Sequence, residues 1–426
     1  MAGQSAWVAS RMVAMGVGYA ESRCLGQELM SERASRIAII GGGFGGLYAA
    51  LQLSQLPWDT VAPPELVLID CRDRFLFAPL LYELVTGELQ AWEIAPPFEE
   101  ILAGTGIRFI QARATGIDTG SKQIQLADRA PLSYDTLILG VGGETPMEAV
   151  PGAAEHAIPF RRLADAQRLQ QQLRALEHSE RDRIRVAVMG GGYSGVELAC
   201  KVADRLGERG RLRLIERGGA ILKRSAPFNR EAAQRALEAK QIWIDRETTV
   251  ASVGADSIEL VYKGQTDTLP VELVLWTIGL SASSLLAELP FPQNERGQLQ
   301  VAPTLQAAEG SAVFVVGDAI ECRDAEGAQV PPTAQAAYQQ ADYCAWNVWA
   351  SLTGRPLLPF RYQHLGEMMA LGTDNATLTS GRLQLEGLGA YTARRLAYLA
   401  RMPTLNHKLT VGGNWIARPL LAALAR

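Results

Sequence analysis

Two glycine patterns carry the first chemical signal in this chain. Gly41-x-Gly43-x-x-Gly46 follows the apolar run Arg36–Ile40, and Gly190-x-Gly192-x-x-Gly195 follows Arg185–Met189. Each reads as a buried strand turning tightly into a helix. The glycines let the backbone approach a pyrophosphate, whose charge then sits at the helix N-terminus. Phe44 and Gly45 complete the first turn, and Tyr193 and Ser194 the second. Asp70 ends the next apolar run, Glu65–Asp70, and Glu216 ends its counterpart, Arg211–Glu216. A carboxylate in that place accepts the ribose hydroxyls of a dinucleotide. One such unit is a weak signal. Two, each with its acid, predict a protein that holds two dinucleotides at once, and a flavin facing a nicotinamide is a redox centre.

The elements that must position these groups repeat. A strand over 36–40 feeds a helix over 44–56, stopped by Pro57; a strand over 185–189 feeds a helix over 194–206. Tyr134–Gly143 is another buried strand with a glycine-rich end at Gly140, and Val271–Gly279 ends on a glycine that would admit a ligand closely. Ala312–Ala319 then returns to the first unit, and its Gly317-Asp318 end suits a carboxylate at the ribityl or pyrophosphate end of a flavin dinucleotide. The expected fold class is α/β, two Rossmann-like dinucleotide-binding domains (FAD and NAD(P)), one inserted in the other, with a C-terminal amphipathic helical tail. The expected boundaries are 35–157 and 286–385 for the split FAD domain, 158–285 for the NAD(P) domain and 386–426 for the tail. Residues 1–34 read as a disordered extension, with Met30 as the other reading of the start.

Composition narrows the classes. The chain has 426 residues, 48% of them hydrophobic, which suffices for several cores. A net charge of −4 gives no argument for nucleic acid. The five cysteines include no C-x-x-C pair, which argues against the flavin disulfide reductases and against a sulfur-relaying sulfide:quinone oxidoreductase. The four histidines, His156, His178, His364 and His407, have no metal-ligand spacing, so no metal is expected. No apolar stretch is long enough for a membrane-spanning helix.

Three stretches carry a resemblance. They are Asp73–Glu83 (Asp-Arg-Phe-Leu-Phe-Ala-Pro-Leu-Leu-Tyr-Glu), Gly195-Val-Glu197-Leu-Ala, and Thr333-Ala-Gln335-Ala-Ala-Tyr-Gln339-Gln340. Together they resemble the type II NAD(P)H:quinone oxidoreductases, non-proton-pumping flavoenzymes. Leu53–Trp58, Ala91–Pro97, Cys344–Asn347 and Leu365–Gly372 are similar to the cyanobacterial and plastid branch, whose acceptor is demethylphylloquinone in phylloquinone (vitamin K1) biosynthesis. The resemblance implies FAD, with Pro79 and Leu80 beside its ring, and NADPH or NADH. It implies hydride transfer to the flavin N5, then two-electron reduction of a prenylated naphthoquinone. The match of Gln335 and Gln339, four apart on one helix face, to the family's A-Q-x-A-x-Q-Q element implies that they bond the quinone carbonyls. The start of that helix, at Ala334 and Gln335 after Pro331-Pro332, is expected to aim its dipole at the flavin N1–C2=O edge. Glu197 would orient the carboxamide or relay a proton; helix-dipole complementation is its structural alternative.

Glu216 favours NADH, because a carboxylate binds a 2′-hydroxyl and repels a 2′-phosphate. Arg217, with Arg211, Arg213, Lys223 and Arg224 nearby, would still hold a phosphate, so both cofactors are expected to work. After Glu386 there are six basic residues and no acidic one. Tyr391, Leu399 and Met402 share one helical face, Arg394 and Arg401 the other, and Trp415 opens a further apolar stretch. The reading is a membrane-surface tail on a peripheral protein at the cytoplasmic side of a membrane, thylakoid or plasma membrane in a cyanobacterium. Docking on the body, or on the second subunit of a homodimer, is its alternative. The alternative functions are a general respiratory type II NADH dehydrogenase using plastoquinone or menaquinone, a soluble flavin reductase of a protein acceptor, and a redox sensor.

Overall fold

The computed structural model describes residues 35–424; the expectation for the extension at 1–34 lies outside them. The first sheet is parallel, in the order Val313–Val315, Thr136–Leu139, Arg36–Ile40, Glu65–Asp70, Arg108–Gln111. The second, also parallel, runs Trp243–Asp245, Gly210–Ile215, Ile184–Met189, Leu273–Trp276, Ala157–Pro159. Strands of this kind are covered on both faces, so they are apolar almost throughout, as Ile37–Ile40 and Val186–Met189 are. Val313–Val315 enters the first sheet after the whole second sheet has been made, so one Rossmann-like unit is inserted in the other. The two crossings are tied by a short antiparallel pairing of Gly143–Glu144 with Ser281–Ala282. Ala157 already pairs with Val274, which puts it in the second unit, one residue before the expected boundary.

Both glycine turns are built alike. Gly41 (φ +99°) and Gly190 (φ +107°) occupy the left-handed region, where a side chain would strain the backbone. A Cβ on Gly46 would lie 1.9 Å from the Gly41 carbonyl oxygen, and one on Gly195 1.8 Å from that of Gly190. The third glycine of each pattern thus lets the helix settle on its own strand. The helices that follow are Phe44–Leu53, shorter than expected because Ser54 closes it ahead of Pro57, and Tyr193–Leu206.

The C-terminal part is an antiparallel sheet, Glu367–Ala370, Ala376–Ser380 and Leu383–Gly387, followed by helices Leu388–Ala400 and Leu405–Leu424. Glu367 Oε2 accepts hydrogen bonds from Ser225 Oγ (2.7 Å), Ala226 N (3.1 Å) and Asn229 Nδ2 (2.9 Å). It thereby takes up the backbone N–H of Ala226, the N-cap residue of helix Pro227–Ala239, and pins this sheet to the inserted unit.

Candidate functional site

Both glycine turns open into one continuous cleft of ≈ 1800 Å³. At one end Asp70, buried at the end of its strand, accepts from Gly42 N (2.7 Å) and Arg72 N (2.9 Å). It also takes the Arg72 guanidinium on both oxygens, at 3.0 and 2.8 Å. Burial opposes its charge, but these bonds hold its carboxyl below the ordinary range. At the other end Glu216 accepts from Gly191 N (2.8 Å) and Gly218 N (2.6 Å). The symmetry is close: each acid is gripped by the second residue of its own glycine turn.

These residues fit a bound FAD. Gly41, Gly43, Phe44, Gly45, Asp70, Pro79, Gly140, Gly317, Asp318, Ala334 and Gln335 all line the cleft. A Cβ on Gly43 would meet nothing within 4 Å, so the turn presents open backbone where a pyrophosphate must approach. Gly192, Tyr193, Ser194, Gly195, Glu197 and Glu216 line the inserted unit's side. Arg161, on the loop entering helix Leu163–Glu177, bonds Asp318 at 3.2 Å, and Gln340 Oε1 accepts from Gly317 N at 2.8 Å.

Several expected contacts are not cleft-facing. Leu80 sits in a tight turn, fully buried, and its neighbours Pro79 and Leu81 face the cleft instead. Gly46 and Gly190 are consumed in packing helix on strand. Gly279 packs on Pro146: a Cβ there would lie 2.8 Å from Pro146 Cγ. Arg217 is exposed outside the cleft.

The glutamine pair also behaves differently. Helix Ala334–Leu352 is capped by Thr333, whose hydroxyl accepts from Ala336 N, so Pro331-Pro332 lie ahead of the cap and not in the first turn. Gln339, outside the cleft, exchanges both amide bonds with the backbone of Gln363 (2.8 and 2.9 Å). Gln335 accepts from Leu365 N (3.0 Å) and the Tyr362 hydroxyl (2.9 Å) and donates to Gly366 O (3.2 Å). The pair therefore straps the 362–366 segment to the helix. One amide N–H of Gln335 is left for a ligand.

Glu197 is buried, yet reaches the cleft. Its Oε1 accepts from Ala370 N (2.8 Å) and Arg394 Nη2 (3.3 Å). Burial outweighs the Arg394 charge and lifts its carboxyl to about 7. Arg394 is fully buried, paired through Nη1 with Glu83 and bonded through Nη2 to Pro79 O (2.8 Å). It does not sit on an outward charged face, because two buried carboxylates claim it. Glu83, also desolvated, is held in its charged form chiefly by Arg394. Beside them Lys201 pairs with Glu88, which also accepts from the Tyr391 hydroxyl (2.6 Å). Trp415 is tied to the body as well: its indole N–H donates to Glu93 Oε1 (2.9 Å), as does Asn414 Nδ2 (3.0 Å). Tyr391 and Met402, from the expected apolar stripe, are buried, and Leu399 packs partly buried against the core.

An aromatic wall closes the cleft beside the tail. Phe44 meets Phe77 edge-on at 5.3 Å, Phe77 meets Tyr398 at 5.5 Å, and Tyr48 meets Tyr338 at 4.7 Å. Phe44, Phe77, Tyr338, Tyr398 and Arg401 line the cleft there. Among the described residues no cluster of His, Cys, Asp and Glu could hold a metal, and no helix is long and apolar enough to cross a membrane.

Fold and cleft together define an oxidoreductase built around two dinucleotides. Comparison agrees: the pyridine nucleotide-disulphide oxidoreductase family matches residues 35–341. Demethylphylloquinone reductase NdbB of Synechocystis is 54% identical, over 92% of this chain and 98% of its own length. The alternative NAD(P)H-ubiquinone oxidoreductase C1 of Arabidopsis thaliana is 38% identical, over 92% and 82%. NDH2 from Plasmodium falciparum, solved with NADH, shares the fold at a TM-score of 0.80 and 19% identity, covering 90% of this chain and 98% of that one. The chain belongs to the pyridine nucleotide-disulphide oxidoreductase family and, within it, to the type II NAD(P)H:quinone oxidoreductases of the branch that includes the Synechocystis enzyme. Its cofactors are FAD and NAD(P)H.

Proposed function

We propose that the chain oxidises NAD(P)H and reduces a prenylated naphthoquinone, demethylphylloquinone, in phylloquinone biosynthesis. The observation that carries this is the single cleft, into which both dinucleotide turns, Glu197 and the aromatic wall all open. The relation to the Synechocystis reductase supports the choice of quinone. When bound, FAD supplies the two-electron relay between nicotinamide and quinone. The chain's own residues do the rest. The glycine turns receive the pyrophosphates, and Asp70 and Glu216 take the riboses. Thr333 caps the start of the helix at the cleft, lined there by Ala334 and Gln335, and the positive end of the helix dipole favours negative charge on the ring. Gln335 offers its remaining amide N–H to a quinone carbonyl. Glu197 Oε1 already accepts two bonds, so Oε2 is the oxygen that carries the proton. The wall of edge-to-face aromatic rings offers an apolar surface on which a naphthoquinone ring can pack.

The tail supports a peripheral membrane site. Its inward stripe is spent on the body, but Leu396, Leu405, Leu409 and Ile416 remain 59–71% exposed. No acidic residue lies among them, and a prenylated substrate must be drawn from lipid. The face is the cytoplasmic one, where the nicotinamide pool is.

The test is anaerobic turnover of the FAD-loaded protein with NADPH and with NADH, on a naphthoquinone lacking the ring methyl and on its methylated counterpart. Faster turnover of the unmethylated ring is expected. Equal rates would make this a general respiratory quinone reductase. Flavin reduction without transfer to either quinone would point to a protein acceptor or a sensor.

A further inference from the structure

The end of the cleft beside Glu216 holds more positive charge than a site for NADH needs. Lys223 and Arg224 both line it, both are exposed, and neither has an ion-pair or hydrogen-bond partner among the described side chains. Their position is fixed by the backbone just before them. Leu222, in the left-handed region at φ +49°, donates its N–H to Gly191 O at 2.8 Å. That bond folds the loop after Glu216 back over the glycine turn and delivers the next two residues to the cleft. The other nearby cations are elsewhere: Arg213 is paired with Asp245 at 3.0 Å, Arg211 bonds the backbone of Glu208 and Gly210, and Arg217 lies outside the cleft.

Glu216 would ordinarily repel a 2′-phosphate. Here each of its oxygens already accepts a backbone N–H, from Gly191 and from Gly218. Charge-assisted bonds of that kind spread the negative charge over the turn and weaken the repulsion. An anion next to the ribose would then meet a lysine and an arginine with nothing else to bind.

We propose that Lys223 and Arg224 form the receptor for the 2′-phosphate of NADPH, so that one pocket accepts NADPH through this pair and NADH through Glu216. The assignment rests on the reading that the second glycine turn holds the nicotinamide dinucleotide. It selects these two residues from the five basic ones that neighbour Glu216 in sequence.

The experiment uses the FAD-loaded protein and its Lys223→Ala/Arg224→Ala double variant. Calorimetric titration with 2′,5′-ADP and with 5′-AMP separates the two phosphates without turnover. Affinity for 2′,5′-ADP is expected to fall ~10–100-fold more than affinity for 5′-AMP, and the ratio of the NADPH KM to the NADH KM to rise by a similar factor. Equal losses for both ligands would overturn the proposal and assign the pair to the shared 5′-phosphate region. No change for either would overturn it too. If unmodified protein bound neither nucleotide and its flavin were reduced by neither cofactor, the reading of the second turn itself would fail, an outcome distinct from both.

Discussion

Arg394 Nη2 lies 3.3 Å from Glu197 Oε1 while its Nη1 pairs with Glu83, and the guanidinium is fully buried between them. A residue of helix Leu388–Ala400 thus sits under Glu197, the cleft carboxyl that burial raises to about 7. Removing it would leave Glu83 buried and without its partner. Arg394→Met is expected to lower stability by ~3–5 kcal/mol in denaturant titrations, because an unpaired buried charge is the costly state. The same loss removes the main influence holding Glu197 down, so its titration should move above about 7. Wild-type stability in the variant would show that the pair contributes nothing.

The carboxyl of Glu197 is raised in the fold, so the fold prefers it protonated. Its contribution to stability is complete below the unfolded value near 4.5 and is lost as pH rises through about 7. The protonated fraction available to a reduced quinone falls over the same interval. Quinone turnover should therefore decline above about pH 7. Glu197→Gln should abolish that limb and slow quinone reduction by ~100-fold, the usual scale for loss of a proton donor. Stopped-flow reduction of the flavin by NADH should change far less. Were both half-reactions to keep wild-type rates and pH profiles, Glu197 would be a structural residue only.

The tail's two roles call for different variants. Truncation at 387 would delete Arg394 and Arg395 with the apolar surface, and would unfold the region of Glu83 and Glu88 along with any lipid contact. Leu405→Ser/Leu409→Ser/Ile416→Ser touches only exposed positions. Cosedimentation with anionic liposomes should drop at least ~tenfold, since burying three such side chains is worth several kcal/mol. Turnover of a water-soluble quinone should persist. Unaltered liposome binding would leave that face to another use, such as a second subunit.

What could be read from the chain depended on how local the cause was. Glycine, apolar strand and strand-end acid act within one βαβ unit, so Asp70 and Glu216 were legible from spacing alone. Gln335 and Gln339 were correctly placed on one helix face. Their partners were not legible, because the 362–366 segment is irregular backbone whose groups bond across the fold. Arg394 is the sharpest case. Helical periodicity assigns a basic residue to the polar side, and only a contact between positions 311 apart reveals the carboxylate that buries it. Glu83 gave one hint, a lone acid among apolar residues in Leu80–Val85. An acid there must find a cation or lose its charge. The Trp415 bond is hidden for the same reason: its partner Glu93 lies 322 residues away.

The strap formed by the glutamines makes the last prediction. Among the described residues Gln339 hydrogen-bonds with Gln363 of the strap and does not line the cleft, whereas Gln335 bonds the strap and lines the cleft. Gln339→Leu removes two bonds to Gln363, and at ~1 kcal/mol each it should loosen the segment by about 2 kcal/mol. Hydrogen exchange at residues 362–366 would rise, with a modest change in quinone KM. Gln335→Leu removes three such bonds and the amide N–H left for a quinone carbonyl. Its quinone KM should rise ~tenfold or more, the scale of one lost hydrogen bond to substrate. If the two variants raised exchange and quinone KM in the same proportion, the effect of Gln335 would be wholly through the strap. A larger KM effect for Gln335 at matched exchange assigns it a direct contact.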